Sequence, residues 1–231
     1  MNETHPISIA IDGPSGAGKS TLARRLATTL RFLYVDTGAI YRTIAYYAYA
    51  NHLDPADEAA VLAALPNIRI ELCHDAEGLQ RMILNGEDVT DAIRLPQISQ
   101  YASVVSAYPG VRAFLLEMQR DFARKGSVIM DGRDIGTVVL PQADLKIFLT
   151  ATAQDRARRR YEELVERGQQ VDQAQILREV MERDERDIHR QTAPLRQAED
   201  AVAVDTTGNS LEESYRQLLE VARVFRVPVS R

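Results

Sequence analysis

One cysteine, Cys73, stands in 231 residues, so an intrachain disulfide and a cysteine-based zinc site are both excluded. The four histidines, His5, His52, His74 and His189, are scattered without ligand spacing. Any metal is therefore expected to be held through oxygen, which suits magnesium. Long apolar runs are missing as well. No stretch approaches the roughly 18 residues that cross a bilayer, and the polar residues 1–6 pass directly into a strand-like run. Neither a membrane span nor a secretory leader is expected, and a cytoplasmic location is the default. A formal net charge of −5 argues against nonspecific association with a nucleic-acid backbone.

Lysine is nearly absent. Lys19, Lys125 and Lys146 are the only three among 28 basic residues, and the rest are arginine. One reading is compositional drift. The other is that many phosphate oxygens must be held by planar, bidentate donors. Hydrophobic residues at 45% and charged residues at 26% are ordinary globular usage, which excludes a disordered, collagen-like or coiled-coil chain.

Residues 7–11 (ISIAI) are short, apolar and β-branched with a glycine-rich stretch behind them, the pattern of a buried parallel strand. Residues 21–30 have helical spacing, with Leu22, Leu26 and Leu30 on one face. Residues 33–35 form a second short strand and 38–51 a tyrosine-rich helix; 127–130 and 145–149 are again short apolar runs. Strands alternating with helical patterns predict an α/β fold whose parallel sheet is covered on both faces. One region breaks the rhythm. Residues 67–73 and 79–84 read as strands, and Asn85-Gly86 signals a tight turn before Val89. This small antiparallel insert is either a surface hairpin or a substrate cover. The C-terminal third is helical, over 156–166, 173–190 (ended by Pro194) and 211–225. The last of these is expected to pack Leu211, Tyr215, Leu218, Leu219 and Ala222 onto the sheet.

Gly13-Pro14-Ser15-Gly16-Ala17-Gly18-Lys19-Ser20 matches G-x-x-x-x-G-K-[ST] in full, between a strand and a helix as the motif requires. Glycines let the backbone curl so that successive N–H groups point at phosphate oxygens. The helix starting at Lys19 adds the positive end of its dipole. Lys19 is placed to reach the β and γ phosphates of ATP, and the Ser20 hydroxyl to ligate magnesium. No N-K-x-D string occurs, which excludes a GTPase that reads guanine that way.

A second set of polar ligands follows. Asp36, Thr37, Tyr41 and Arg42 emerge after the second strand, and Asp131, Arg133 and Asp134 after the 127–130 strand. In open α/β sheets such C-terminal strand edges line the ligand crevice. Arg156, Arg158, Arg159 and Arg160 nearly fill one helical turn, and the expectation is that they cannot all pair internally. Arg183, Asp187 and Arg190 are spaced to share a helical face, although the mixed charges around them suit a solvated helix equally well.

G-P-S-G-A-G-K-S, D-T-G-A-I-Y-R, D-G-R-D-I-G-T and R-D-x-R-D-x-x-R before A-P-L together resemble the bacterial cytidylate kinases. The resemblance runs in order from about residue 7 to 195, hairpin insert included. The loop ends in Lys-Ser where some members have Lys-Gly, and Thr37 stands where Ser is common. The resemblance implies one P-loop kinase domain in three parts. These are a core (1–37, 104–153 and 191–231), a monophosphate-binding region with the insert (38–103), and a lid with its following helix (154–190). It further implies that residues 13–21, Thr21 included, bind ATP, with Arg156 and Arg160 of the lid covering it. Thr37, Ser103, Arg112 and Asp134 would lie around the cytosine end of CMP or dCMP. Arg42, Arg133 and Arg190 would hold its phosphate, and Arg183, Asp187 and Tyr41 would lie at its ribose. Lys19, magnesium and the arginines, Arg133 and Arg190 among them, would supply charge neutralisation. Asp36 or Asp131 would hold magnesium water, with the choice open. The expected partners are small molecules, with no nucleic acid or membrane, and the expected state is a monomer. Rival readings are a kinase for UMP or a non-nucleotide alcohol, and a nucleotide-dependent switch module. Replacing Lys19 by alanine is expected to collapse turnover with the far-ultraviolet circular dichroism spectrum unchanged; near-normal turnover would remove the role given to this lysine.

Overall fold

The computed structural model describes residues 5–166 and 168–225. In chain order the elements are β1 (Ser8–Asp12), α1 (Lys19–Leu30), β2 (Leu33–Asp36), α2 (Thr37–Ala50), α3 (Glu58–Ala64), β3 (Ile70–His74), β4 (Gln80–Leu84), β5 (Glu87–Asp88), α4 (Pro96–Val105), α5 (Pro109–Lys125), β6 (Val128–Gly132), β7 (Leu145–Thr150), α6 (Ala153–Glu166), α7 (Gln173–His189), β8 (Val202–Asp205) and α8 (Leu211–Val224). They fall into two compact units, Met1–Tyr34 with Phe122–Arg231, and Val35–Asp121.

The larger unit carries a five-stranded sheet in the order β2-β6-β1-β7-β8. β1 pairs in parallel with β6 from Ser8↔Val128 to Asp12↔Gly132, and with β7 from Ile9↔Leu145 to Asp12↔Phe148. A central parallel strand is covered on both faces, so continuous apolar sequence is what it requires. Ile9, Ala10 and Ile11 are accordingly buried, as are Ile129, Ile147 and Leu149 on the neighbouring strands. α1 lays Leu22, Leu26 and Leu30 into the same core, and α8 adds Tyr215, Leu218 and Ala222. α8 starts at a capping box in which Ser210 and Glu213 satisfy each other's backbone amides. β8 was not anticipated: four residues (VAVD) at the sheet edge carry too short an alternation to read.

The smaller unit contains the antiparallel insert. β3 pairs with β4 from Ile70↔Leu84 to His74↔Gln80, and β4 with β5. Asn85 and Gly86 both have positive φ, 51° and 88°, the geometry a two-residue hairpin turn of this hand demands. Asn85 also accepts from the Arg69 amide at 2.8 Å and donates to the Asn67 carbonyl at 3.1 Å.

Four local expectations change. The first insert strand begins at Ile70 and not at 67, because Pro66 favours the short 3₁₀ turn Leu65–Asn67. α7 ends at His189, so Arg190 lies past the helix with extended backbone (φ −62°, ψ 140°) and does not share the Arg183–Asp187 face as a helical residue. Leu211 is 53% exposed. As the first residue of α8 its side chain leans toward the N-terminus, beyond the first turn. Finally, the arginines of α6 do all meet carboxylates. Arg156 pairs with Asp184, Arg158 with Asp155 and Glu162, Arg159 with Asp155, and Arg160 with Glu163.

Leu218 is fully buried between α8 and the sheet. Leu218→Ala is expected to lower unfolding stability by about 2–5 kcal/mol, measured by urea denaturation; a loss well under 1 kcal/mol would deny this contact its place in the core.

Candidate active site

The P-loop follows from β1 in the larger unit. A Cβ on Gly13 (φ 151°) would sit 1.9 Å from the Leu149 carbonyl oxygen, so only glycine lets the loop leave the strand here. Gly16 and Gly18 also hold positive φ. Gly18 is the N-cap of α1 and brings no capping side chain, which leaves the first amides of the helix to an incoming anion. Ser20 and Thr21 are exposed at that helix start, and Ala17 is buried beneath it.

Lys19 is buried, and its ammonium donates to the Pro14 carbonyl at 2.7 Å. Burial, and next the positive charge of Arg133, pull its pKa well below the ordinary lysine range, with Asp131 and Asp12 opposing. An incoming anion would relieve this strain on the ammonium, which suits an anion-binding site. Ser20 Oγ donates to Asp131 Oδ2 at 3.0 Å, and the Tyr34 hydroxyl donates to Oδ1 at 2.7 Å. This oxygen-only set beside the loop fits a hard divalent cation.

At the end of β6, Arg133 donates from Nε to Asp187 Oδ2 at 2.8 Å. Arg190 meets Asp134 Oδ1 at 3.4 Å and donates to the Ala193 carbonyl at 2.7 Å. Asp187 is buried, and burial would raise its pKa; the charges of Arg133, Arg183 and Arg190 outweigh this and hold it below the usual carboxylate range. Arg133, Asp134, Arg183, Asp187 and Arg190 are thus one electrostatic group, and Lys19 feels both Arg133 and Arg183.

Of the two arginines expected on the lid, the structure brings Arg156 to the loop. Its guanidinium donates to the Ser15 carbonyl at 2.8 Å and the Ala151 carbonyl at 2.9 Å, and forks onto Asp184 of α7. Arg160 is not brought there: it is half-exposed and bonds to Glu163 on its own helix. Asp12 and Asp184 were missed. Asp12 lies between the strand and the loop motif, and Asp184 is hidden in a mixed-charge run. Asp12 accepts from the amides of Ile135 and Gly136, each at 2.7 Å.

In the smaller unit, Asp36 caps α2 by accepting from Ala39 N at 2.9 Å and pairs with Arg42 at 2.9 Å. A Cβ on Gly38 would come within 3.0 Å of Asp36 Oδ1 and 3.2 Å of the Arg42 guanidinium, so the pair closes tightly over the bare backbone between its members. Gln80 of the insert, also missed, accepts from the Asp36 amide at 2.8 Å and donates to its carbonyl at 3.3 Å. Thr37 and Tyr41 are buried. The Arg112 guanidinium lies 5.3 Å from the Tyr41 ring centroid, within cation–π range, and donates to the Ser106 carbonyl at 2.9 Å. Ser103 Oγ is buried and, among the described residues, has no hydrogen-bond partner.

A family model described as "Cytidylate kinase" matches residues 9–224. The cytidylate kinase of Carboxydothermus hydrogenoformans is 51% identical over 213 residues, covering 92% of this chain and 96% of that one. That of Caldicellulosiruptor bescii is 49% identical over 217 residues, 93% and 95% of the two chains. Among solved structures, an uncharacterized protein from Eubacterium ventriosum superposes with a TM-score of 0.52 at 12% identity. It covers 93% of this chain and 96% of that one, a likeness of fold alone. With two independent relatives near half identity and a family match over almost its whole length, this chain belongs to the cytidylate kinase family.

Proposed function

We propose that this chain transfers the γ-phosphoryl group of ATP to CMP, and to dCMP, giving CDP or dCDP and ADP. The observation that carries this reading is the gathering of arginines beside the buried Lys19. A P-loop alone accounts for the lysine, whereas the neighbouring Arg133, Arg183 and Arg190 call for a second phosphorylated ligand. The family membership and the names of the relatives support the same acceptor.

In this reading residues 13–21 hold the ATP phosphates, with Lys19 at the β and γ positions and the α1 amides completing the cradle. Arg156 steadies the loop from beneath, and Arg160 of the lid would exchange its bond to Glu163 for the nucleotide. Ser20 and Asp131 would hold magnesium, favoured over Asp36 because Ser20 already bonds to Asp131 whereas Asp36 is engaged by Arg42. When bound, that ion would neutralise charge on the transferred group. Arg42, Arg133 and Arg190 hold the acceptor phosphate. Arg183, Asp187 and Tyr41 meet the ribose, and Thr37, Ser103, Arg112 and Asp134 meet the cytosine. The Asp134 carboxylate accepts from the exocyclic amine, and Arg112 and Ser103 donate to the ring acceptors.

One bond forms and one breaks. An oxygen of the acceptor phosphate attacks the γ-phosphorus in line, and the bond to the β–γ bridging oxygen breaks with ADP leaving. The nucleophile is already an anion, so no general base is required. Catalysis rests on alignment and on charge neutralisation by the named side chains. The reading also includes the three-part division into core, monophosphate-binding region (38–103) and lid (154–190), a monomeric state and a cytoplasmic location. No helix among the described residues is long and apolar enough to cross a membrane.

A coupled assay of ADP release against CMP, dCMP, UMP, AMP and simple alcohols tests the substrate. CMP and dCMP should lead; phosphorylation of none of the monophosphates would overturn the reading. Asp134→Ala should lower the ratio of kcat/KM for CMP to that for UMP by about tenfold or more. An unchanged ratio would remove Asp134 from the base-reading set.

A further inference from the structure

Asp134 stands where the cap of a helical turn stands, yet it does not do a cap's work. The π-helical turn Ile135–Val139 begins directly after it, and the Asp134 side chain makes no capping bond to that turn. An aspartate in this place ordinarily accepts from an amide of the first turn that follows. Here the amides are satisfied by another residue. Asp12, at the end of β1, accepts from Ile135 N through Oδ1 and from Gly136 N through Oδ2, both at 2.7 Å.

The surroundings are built for this substitution of one cap by another. Asp12 is buried. A Cβ on Gly136 would lie 3.1 Å from the Lys146 chain and 3.4 Å from Asp12 Oδ2, so the bare backbone lets the turn settle onto the carboxylate. Lys146 is itself fixed by the Pro141 carbonyl at 2.7 Å and by Asp200 at 2.8 Å. Burial pushes the Asp12 carboxyl up to about 6, and the nearby Asp134 charge adds to the rise, against the two amides and Lys19. At neutral pH the group is still ionised, so both oxygens accept, and a charge is buried where a neutral side chain would be less costly.

We propose that Asp12 is a positioning residue for acceptor discrimination: by capping the turn in place of Asp134, it keeps the Asp134 carboxylate turned toward Arg190 and the base of the bound monophosphate. The inference rests on the reading of Asp134 as a base reader. An asparagine at position 12 has one oxygen for two amides, and its own N–H₂ would confront the second. The amide left over is then open to Asp134, whose backbone already occupies the cap position.

The test is the ratio of kcat/KM for CMP to that for UMP in the unaltered enzyme, Asp12→Asn, Asp134→Ala and the double variant. This ratio does not depend on how much of the protein is folded, so a purely structural effect of position 12 leaves it in place. Asp12→Asn should lower it about tenfold, and the double variant should fall no lower than Asp134→Ala alone. If Asp134→Ala lowers the ratio and Asp12→Asn leaves it within twofold of the unaltered enzyme, the role of Asp12 is overturned and the reading of Asp134 stands. Full additivity in the double variant overturns it equally, since Asp12 would then act elsewhere. No change in Asp134→Ala overturns both. Should Asp12→Asn fail to fold, Asp12→Ser carries the same expectation, because its single, shorter hydroxyl accepts from at most one amide and leaves the other open to Asp134.

Discussion

Burying a lysine beneath a loop whose helix amides carry no capping side chain is the constraint on which the larger unit depends. Lys19 has a carbonyl for its partner and, among the described residues, no carboxylate hydrogen bond, and a guanidinium stands close enough to depress its pKa further. Such an arrangement is unfavourable in isolation. It persists because the loop that creates it is anchored at both ends, by Gly13 packed on the Leu149 carbonyl and by α1 sunk into the core through Leu22, Leu26 and Leu30. Asp187 then performs the compensating task. This buried carboxylate acts on three arginines, and Asp134 also meets one of them, Arg190.

The smaller unit meets the same difficulty with other means. Arg42 has a carboxylate partner, Asp36, which is occupied on its other side by the start of α2. The insert grips the backbone of Asp36 through Gln80 in the manner of an added peptide group. The hairpin is therefore more than a surface ornament: its strand β4 takes part in fixing the residue that fixes Arg42. Arg112 is steadied by the face of Tyr41 and the Ser106 carbonyl.

Much of this is legible in the amino-acid sequence. The loop motif, the buried β1, the leucine face of α1 and the Asn85-Gly86 turn are local patterns, each decided by residues within a few positions of one another. The misreadings were of two physical kinds. Arg190 and Leu211 were misplaced because periodicity does not say where a helix stops or which way its end residues lean. The α6 arginines were not expected all to pair internally, and Arg156 does find its partner on another helix: Asp184 lies on α7, where sequence spacing gives no warning of it. Asp12, Asp184 and Gln80 escaped for a related reason: each acts on a backbone or side chain dozens of residues away, and none belongs to a motif.

The scarcity of lysine has a practical side once burial is taken into account. Lys19 lies beneath the loop, and Lys146 is enclosed between the Pro141 carbonyl and Asp200. Lys125, at the end of α5, is the one exposed lysine among the described residues. Amine-directed reagents thus meet a nearly blank surface with a single addressable side chain, and an attached dye or cross-linker would have a defined position.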